Sequence, residues 1–167
     1  MDFWVALRRL EDFELELENL YVWFSRAYES DPSVSALFRN LGLEERAHAN
    51  ILRYQQKVFL KNRHLFKDIE IDIGIMDDIM RRSKELRSSE AAPTTEEALE
   101  LSYEIENSIA EHYYVLAGRQ SNPDLKDLLT TLAAGCNEHH RRLAQFFGSV
   151  GLQVKSDDDF DIGRPHH

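Results

Sequence analysis

The sequence predicts an all-α chain, a four-helix bundle made of two helical hairpins joined by a long crossover. Three observations predict it. Apolar residues recur at spacings of three and four over four long stretches, the period of a helix that buries one face. Helix-start signals stand in front of three of those stretches. Seven Gly and four Pro in 167 residues are too few for a fold of many short strands and turns.

The first stretch, from about Phe3 to Tyr28, sets Leu10, Phe13, Leu17, Leu20, Tyr21, Phe24 and Tyr28 on one face. Asp31-Pro32 then supplies a capping carboxylate and a residue suited to the first helical position. Val34, Leu37, Phe38, Leu41, Ile51, Leu52 and Val58 carry a second helix to about Asn62. A less regular segment follows, at about residues 63–93. It holds an alternating piece (Ile69, Ile71, Ile73) and a shorter helical one from Met76 to Leu86, and it reads as the crossover. Thr94 with Glu97 forms a capping box that opens a third long helix reaching about Arg119. Asn122-Pro123 opens the fourth, which Leu125, Leu128, Leu129, Leu132, Leu143 and Phe146 carry to about Gly148. Residues 1–150 are expected to form one domain. The acidic, polar tail at 151–167 has no core pattern; it is expected to be mobile from Ser156 on, and its terminal His166 and His167 are given no role.

Thirty acidic residues against twenty basic ones give a formal charge of -10, which argues against nucleic acid as a partner. No stretch approaches the ~20 apolar residues that span a bilayer, so no membrane association is expected. The single cysteine, Cys136, excludes an intramolecular disulfide and any four-cysteine metal centre within these residues. A reducing, cytoplasmic setting is the expectation.

The two halves match each other. Aligning Pro32 with Pro123 pairs Val34 with Leu125, Leu37 with Leu128, Phe38 with Leu129, Leu41 with Leu132 and Leu52 with Leu143 without a gap. It also pairs His48 with His139, each 16 residues after its proline. Leucines alone would match in any two amphipathic helices, but the histidines make an internal hairpin repeat the better reading.

Candidate chemistry lies on the inward faces. Glu45 and His48 stand one turn apart in Glu-x-x-His spacing, on the same face as Phe38, Leu41 and Leu52, so both can reach one metal ion. Glu106 is in line with Ile109, Ala110, Tyr113 and Leu116 on the third long helix, and Glu14 with Leu17, Tyr21 and Phe24 on the first. Each of these glutamates is followed by tyrosine seven residues on, and they precede their prolines by 17 and 18 residues. Glu14 is thus the better counterpart of Glu106, with Glu18, one turn later on the same face, as the alternative. His139 completes the inward set. His64, His112 and His140 read as surface residues, and none of Met1, Met76 and Met80 sits on a bundle face in a way that suggests haem ligation.

On these residues, from about 10 to 148, the chain resembles the rubrerythrin-like branch of the ferritin-like superfamily. Glu14 with Tyr21, Glu45 with His48, Glu106 with Tyr113 and the run Leu41-Gly42-Leu43-Glu44-Glu45-Arg46-Ala47-His48-Ala49 carry the likeness. The resemblance implies a metal centre held by Glu14 or Glu18, Glu45, His48, Glu106 and His139, with Tyr21 and Tyr113 either hydrogen-bonding its carboxylates or packing beside them. It further implies iron chemistry with peroxide or dioxygen, an external electron-donor protein and a homodimer. The departure is at Cys136, where the family places a second bridging Glu. Glu138, two residues on, lies about 200° around a helix and cannot replace it. Cys136 is either a small apolar filler or a thiolate ligand, and a thiolate would shift preference toward zinc or an altered iron site and away from manganese. The rival reading is a non-catalytic scaffold or sensor that holds one metal or none. Iron storage ranks behind both.

Overall fold

A computed structural model describes residues 3–62 and 71–152. Five helices make up the described fold: α1 (Phe3–Ala27), α2 (Pro32–Leu60), α3 (Gly74–Arg87), α4 (Thr95–Arg119) and α5 (Pro123–Ser149). The four long helices fall where the apolar period places them, and α3 is the short helix of the crossover. Ile71 and Ile73 are buried in an irregular lead into α3, and there is no strand among the described residues. Ile69, His64 and the expected mobile tail lie outside those residues.

The helix starts are built as the sequence signals them. Asp31 accepts hydrogen bonds from the Ser33 and Val34 amides at 3.0 and 3.2 Å, and Asn122 accepts from Leu125 N at 3.0 Å. Thr94 and Glu97 bond reciprocally, Glu97 N to Thr94 Oγ1 at 3.3 Å and Thr94 N to Glu97 Oε2 at 2.8 Å. Each cap satisfies amides that a helix start leaves without partners and is worth ~1 kcal/mol.

Helix α1 packs along α2 as one hairpin and α4 along α5 as the other. Gly42 sets the spacing in the first: a Cβ there would stand 3.3 Å from Val22 Cγ2 and 3.5 Å from Glu18 O. Phe24 and Phe38, with ring centroids 5.0 Å apart, fill the bundle beside Tyr21 and Tyr28. Burial of such rings and of the leucines across from them supplies the main drive for closing the hairpins, ~1.5–3 kcal/mol per large side chain.

Helix α3 lies against α1, pinned by a buried carboxylate. Glu16 Oε1 accepts from Ser83 Oγ at 2.7 Å and from Arg87 Nη2 at 2.6 Å, while Arg9 pairs with Asp77 farther along. Tyr28 OH donates to Pro93 O at 2.7 Å and ties the end of the crossover to the first hairpin. Replacing Glu16 by alanine strands a half-buried guanidinium and a buried serine hydroxyl, so urea denaturation is expected to show a loss of ~2 kcal/mol. An unchanged midpoint would mean that α3 is held by its apolar face alone.

Candidate metal centre

Four helices send carboxylates and imidazoles to one point at mid-bundle. Glu14 comes from α1, Glu45 and His48 from α2, Glu106 from α4 and His139 from α5; the three glutamates and His139 are fully buried. The helical period explains this. Each residue lies on the stripe that its helix buries, and a stripe that is otherwise Leu, Phe and Tyr carries an acid or imidazole inward with it.

Glu45 stands at the centre. Its Oε2 is 2.9 Å from His48 Nδ1, and its Oε1 is 2.9 Å from His139 Nδ1. Glu14 Oε2 is 3.4 Å from His48 Nδ1, and Glu106 Oε2 is 3.4 Å from His139 Nδ1. The two ends thus repeat one arrangement about Glu45, with the imidazole rings 5.4 Å apart and nearly parallel. The outer oxygens of the flanking glutamates are tied across the hairpins: Tyr21 OH donates to Glu106 Oε1, and Tyr113 OH donates to Glu14 Oε1. Each tyrosine comes from the helix opposite its glutamate, as the internal repeat requires.

Two overlapping sets of converging donor atoms result, Glu14–Glu45–His48 and Glu45–Glu106–His139. Glu14 Oε2, Glu45 Oε1, Glu106 Oε2 and His139 Nδ1 are buried and make no hydrogen bond of proper geometry. Buried polar atoms without such partners are costly, and oxygen and imidazole donors aimed at a common point suit a divalent first-row metal.

The buried carboxylates and imidazoles shift one another's protonation. For His139, burial favours the neutral ring, but the Glu106 charge and the close approach of the Glu106 and Glu45 carboxylates outweigh it and push the pKa up to about 12. For His48, burial is likewise outweighed by Glu14 and Glu45, and its pKa is pushed up to about 10. Burial raises Glu45, the neighbouring Glu106 charge adds to this, and the carboxyl lies at about 7. Burial also acts upward on Glu14, yet its hydrogen bond and charge attraction to His48 leave it lowered. The tyrosine hydroxyls are held protonated by burial and by the carboxylates they bond, Glu106 for Tyr21 and Glu14 for Tyr113.

The remaining candidates fall outside the two sets. Glu18, the alternative to Glu14, pairs with Arg46 at 2.7 Å. Cys136 is buried in register with Glu45, and its thiol is pushed up by burial first and then by Glu106, Glu14 and Glu45. Glu138 lies on the outside, 2.6 Å from Arg141 and 3.1 Å from Arg142, and the guanidinium of Arg141 leads in holding its pKa at about 2. His112 Nε2 contacts Asp72 O at 2.7 Å. His140, expected at the surface, is instead half-buried against the ring of Tyr103, with centroids 3.9 Å apart.

One residue of the site carried no separate signal in the sequence. Glu44 Oε2 stands 2.9 Å from His139 Nε2, and Arg142 holds its other oxygen. The adjacent pair Glu44-Glu45 was the available hint. One glutamate of such a pair faces the core and the other turns toward the neighbouring helix.

The Rubrerythrin family model matches residues 12–147 of the chain, which takes in most of both hairpins and every residue of the two donor sets. No curated protein and no solved structure gives a match.

Proposed function

The chain belongs to the rubrerythrin family, and from that premise we propose that it binds a pair of iron ions at mid-bundle and acts as an oxidoreductase toward peroxide or dioxygen. The observation that carries this reading is Glu45, which offers one oxygen to each end of a two-ended set of buried donors. Glu14, Glu45 and His48 would hold one ion; Glu45, Glu106 and His139 would hold the other. Iron held there would supply the electrons for reducing the oxidant.

The protein's own contribution is positioning and charge. Tyr21 and Tyr113 each fix one oxygen of Glu106 and Glu14, which leaves the other oxygen of each glutamate directed inward. The surrounding leucines and aromatic rings exclude bulk water and strengthen every charge interaction at the centre. His48 and His139 carry protons when no cation is present, so uptake of metal releases them. A donor protein would supply the reducing equivalents.

Cys136 favours one alternative. With a thiol where the repeat would supply the counterpart of Glu45, the site has one central carboxylate, which suits a scaffold or sensor that holds a single metal, zinc or manganese included. Anaerobic Fe(II) titration in weak buffer separates the readings. Uptake of more than about one iron per chain is expected, with proton release and tighter binding as pH rises through neutrality, because protons compete for His48, His139 and Glu45. Peroxide should then change the near-ultraviolet absorption. One metal or none, with no peroxide response, would support the scaffold.

A further inference from the structure

The two ends of the site are alike in their inward donors and unlike in what stands behind the histidines. His139 uses Nδ1 toward the centre, and behind it Nε2 meets Glu44 Oε2 at 2.9 Å; Arg142 in turn holds Glu44 and is itself 3.1 Å from Glu138. His48 also uses Nδ1 toward the centre, but its Nε2 faces Gly135. A Cβ at position 135 would lie 2.4 Å from His48 Nε2 and 2.6 Å from Cε1. Position 135 is the repeat counterpart of position 44 when Pro32 is aligned with Pro123. One half therefore presents a carboxylate to the opposite histidine, and the other presents a bare backbone that only glycine allows.

We infer that Glu44 is a positioning residue that makes the two metal positions unequal, so that the Glu45–Glu106–His139 position binds more tightly and fills first. This deepens the proposed function and rests on it. A carboxylate accepting the outer N–H of a metal-bound histidine fixes the tautomer and ring orientation and raises the basicity of the ligating nitrogen; losing such a partner costs about 10–100-fold in metal affinity. The Arg142 clamp fixes Glu44 in turn, although that side chain is about one-third exposed, 36%. Gly135 gives His48 room and no comparable partner. Among the described residues its ring is held from the inward side, by Glu45 and Glu14.

The experiment is a Co(II) titration of the full chain, followed by visible absorption and by the exchangeable, paramagnetically shifted histidine N–H signals in proton NMR. Two steps are expected, and the stronger should bring up a slowly exchanging N–H signal from His139. Glu44→Ala should weaken the stronger step about 10–100-fold, remove that signal and leave the weaker step in place. Glu44→Gln, which keeps an acceptor oxygen and loses the charge, should retain the signal and fall between. Gly135→Ala should weaken only the other step, because the new methyl group displaces the His48 ring. Equal steps in the wild type, or a Glu44→Ala variant whose two steps are unchanged or equally weakened, would overturn the inequality and leave the metal reading standing. A wild-type chain that takes up no Co(II) would overturn both. Circular dichroism of each variant checks that the helices persist.

Discussion

Glu45→Ala is expected to empty both metal positions at once. Glu45 is the residue common to the two converging sets, with one oxygen toward each histidine, so its loss removes a donor from each end. Glu14→Ala or Glu106→Ala would disable one end and spare the other. The effect on affinity should exceed the ~10–100-fold expected for losing an outer partner such as Glu44, since a charged donor directed at the metal disappears. Metal retained per chain after desalting, measured by elemental analysis, is the direct readout. Adding His48→Ala to Glu45→Ala should change little further, because the position that His48 serves is already lost. Helix content should survive, as an alanine at 45 keeps the helical geometry and the caps of α2 are a distance away at Asp31. Unchanged metal content in either variant would move the site elsewhere in the fold.

How much of this could be read from the residues depends on whether an interaction stays within one helix. The caps at Asp31, Thr94 and Asn122 are local, made within three residues, and they were legible to the residue. The inward stripe is also local, since a period of 3.6 determines which side of α2 carries Glu45 and His48 before any partner is known. What crosses between helices was not legible. Glu14 and Glu18 lie on one face, and contacts from other helices separate them: His48 and Tyr113 meet Glu14, whereas Arg46 pairs with Glu18. Glu44 reaches His139 over 95 positions in sequence, and Glu16 reaches Arg87 over 71. Such contacts depend on how one hairpin is rotated against its neighbour, and no single-helix periodicity contains that angle. The repeat was the exception, because symmetry carries long-range information in local sequence. Pairing His48 with His139 implied that both point to one centre, which is how the side chains lie.

Cys136→Glu is the second large effect expected, and it acts in opposite directions on the metal-free and metal-loaded protein. Without metal, a carboxylate at 136 would be buried beside Glu106, Glu14 and Glu45, the same groups that already push the Cys136 thiol up. Burial and like-charge repulsion, together with the greater bulk of the side chain, should cost a few kcal/mol in urea denaturation, roughly the ~1–3 kcal/mol typical of overpacking a core plus a desolvation penalty. With iron, the same carboxylate becomes a hard oxygen donor in register with Glu45, and iron stoichiometry should rise toward about two per chain with faster peroxide-dependent oxidation. The stability lost in the metal-free state should then be recovered on loading, since a ligand that binds only the folded chain stabilises it by mass action. Cys136→Ala is the control. A thiol that merely fills space can be lost with metal binding intact, whereas a thiolate that ligates cannot. Should Cys136→Glu and Cys136→Ala both release metal, the thiol is a ligand in its own right and the centre is a distinct one. Should Cys136→Glu leave metal content and peroxide response where they were, at a cost in stability that iron does not recover, position 136 lies outside the reach of any ion, and the scaffold reading takes precedence over the oxidoreductase.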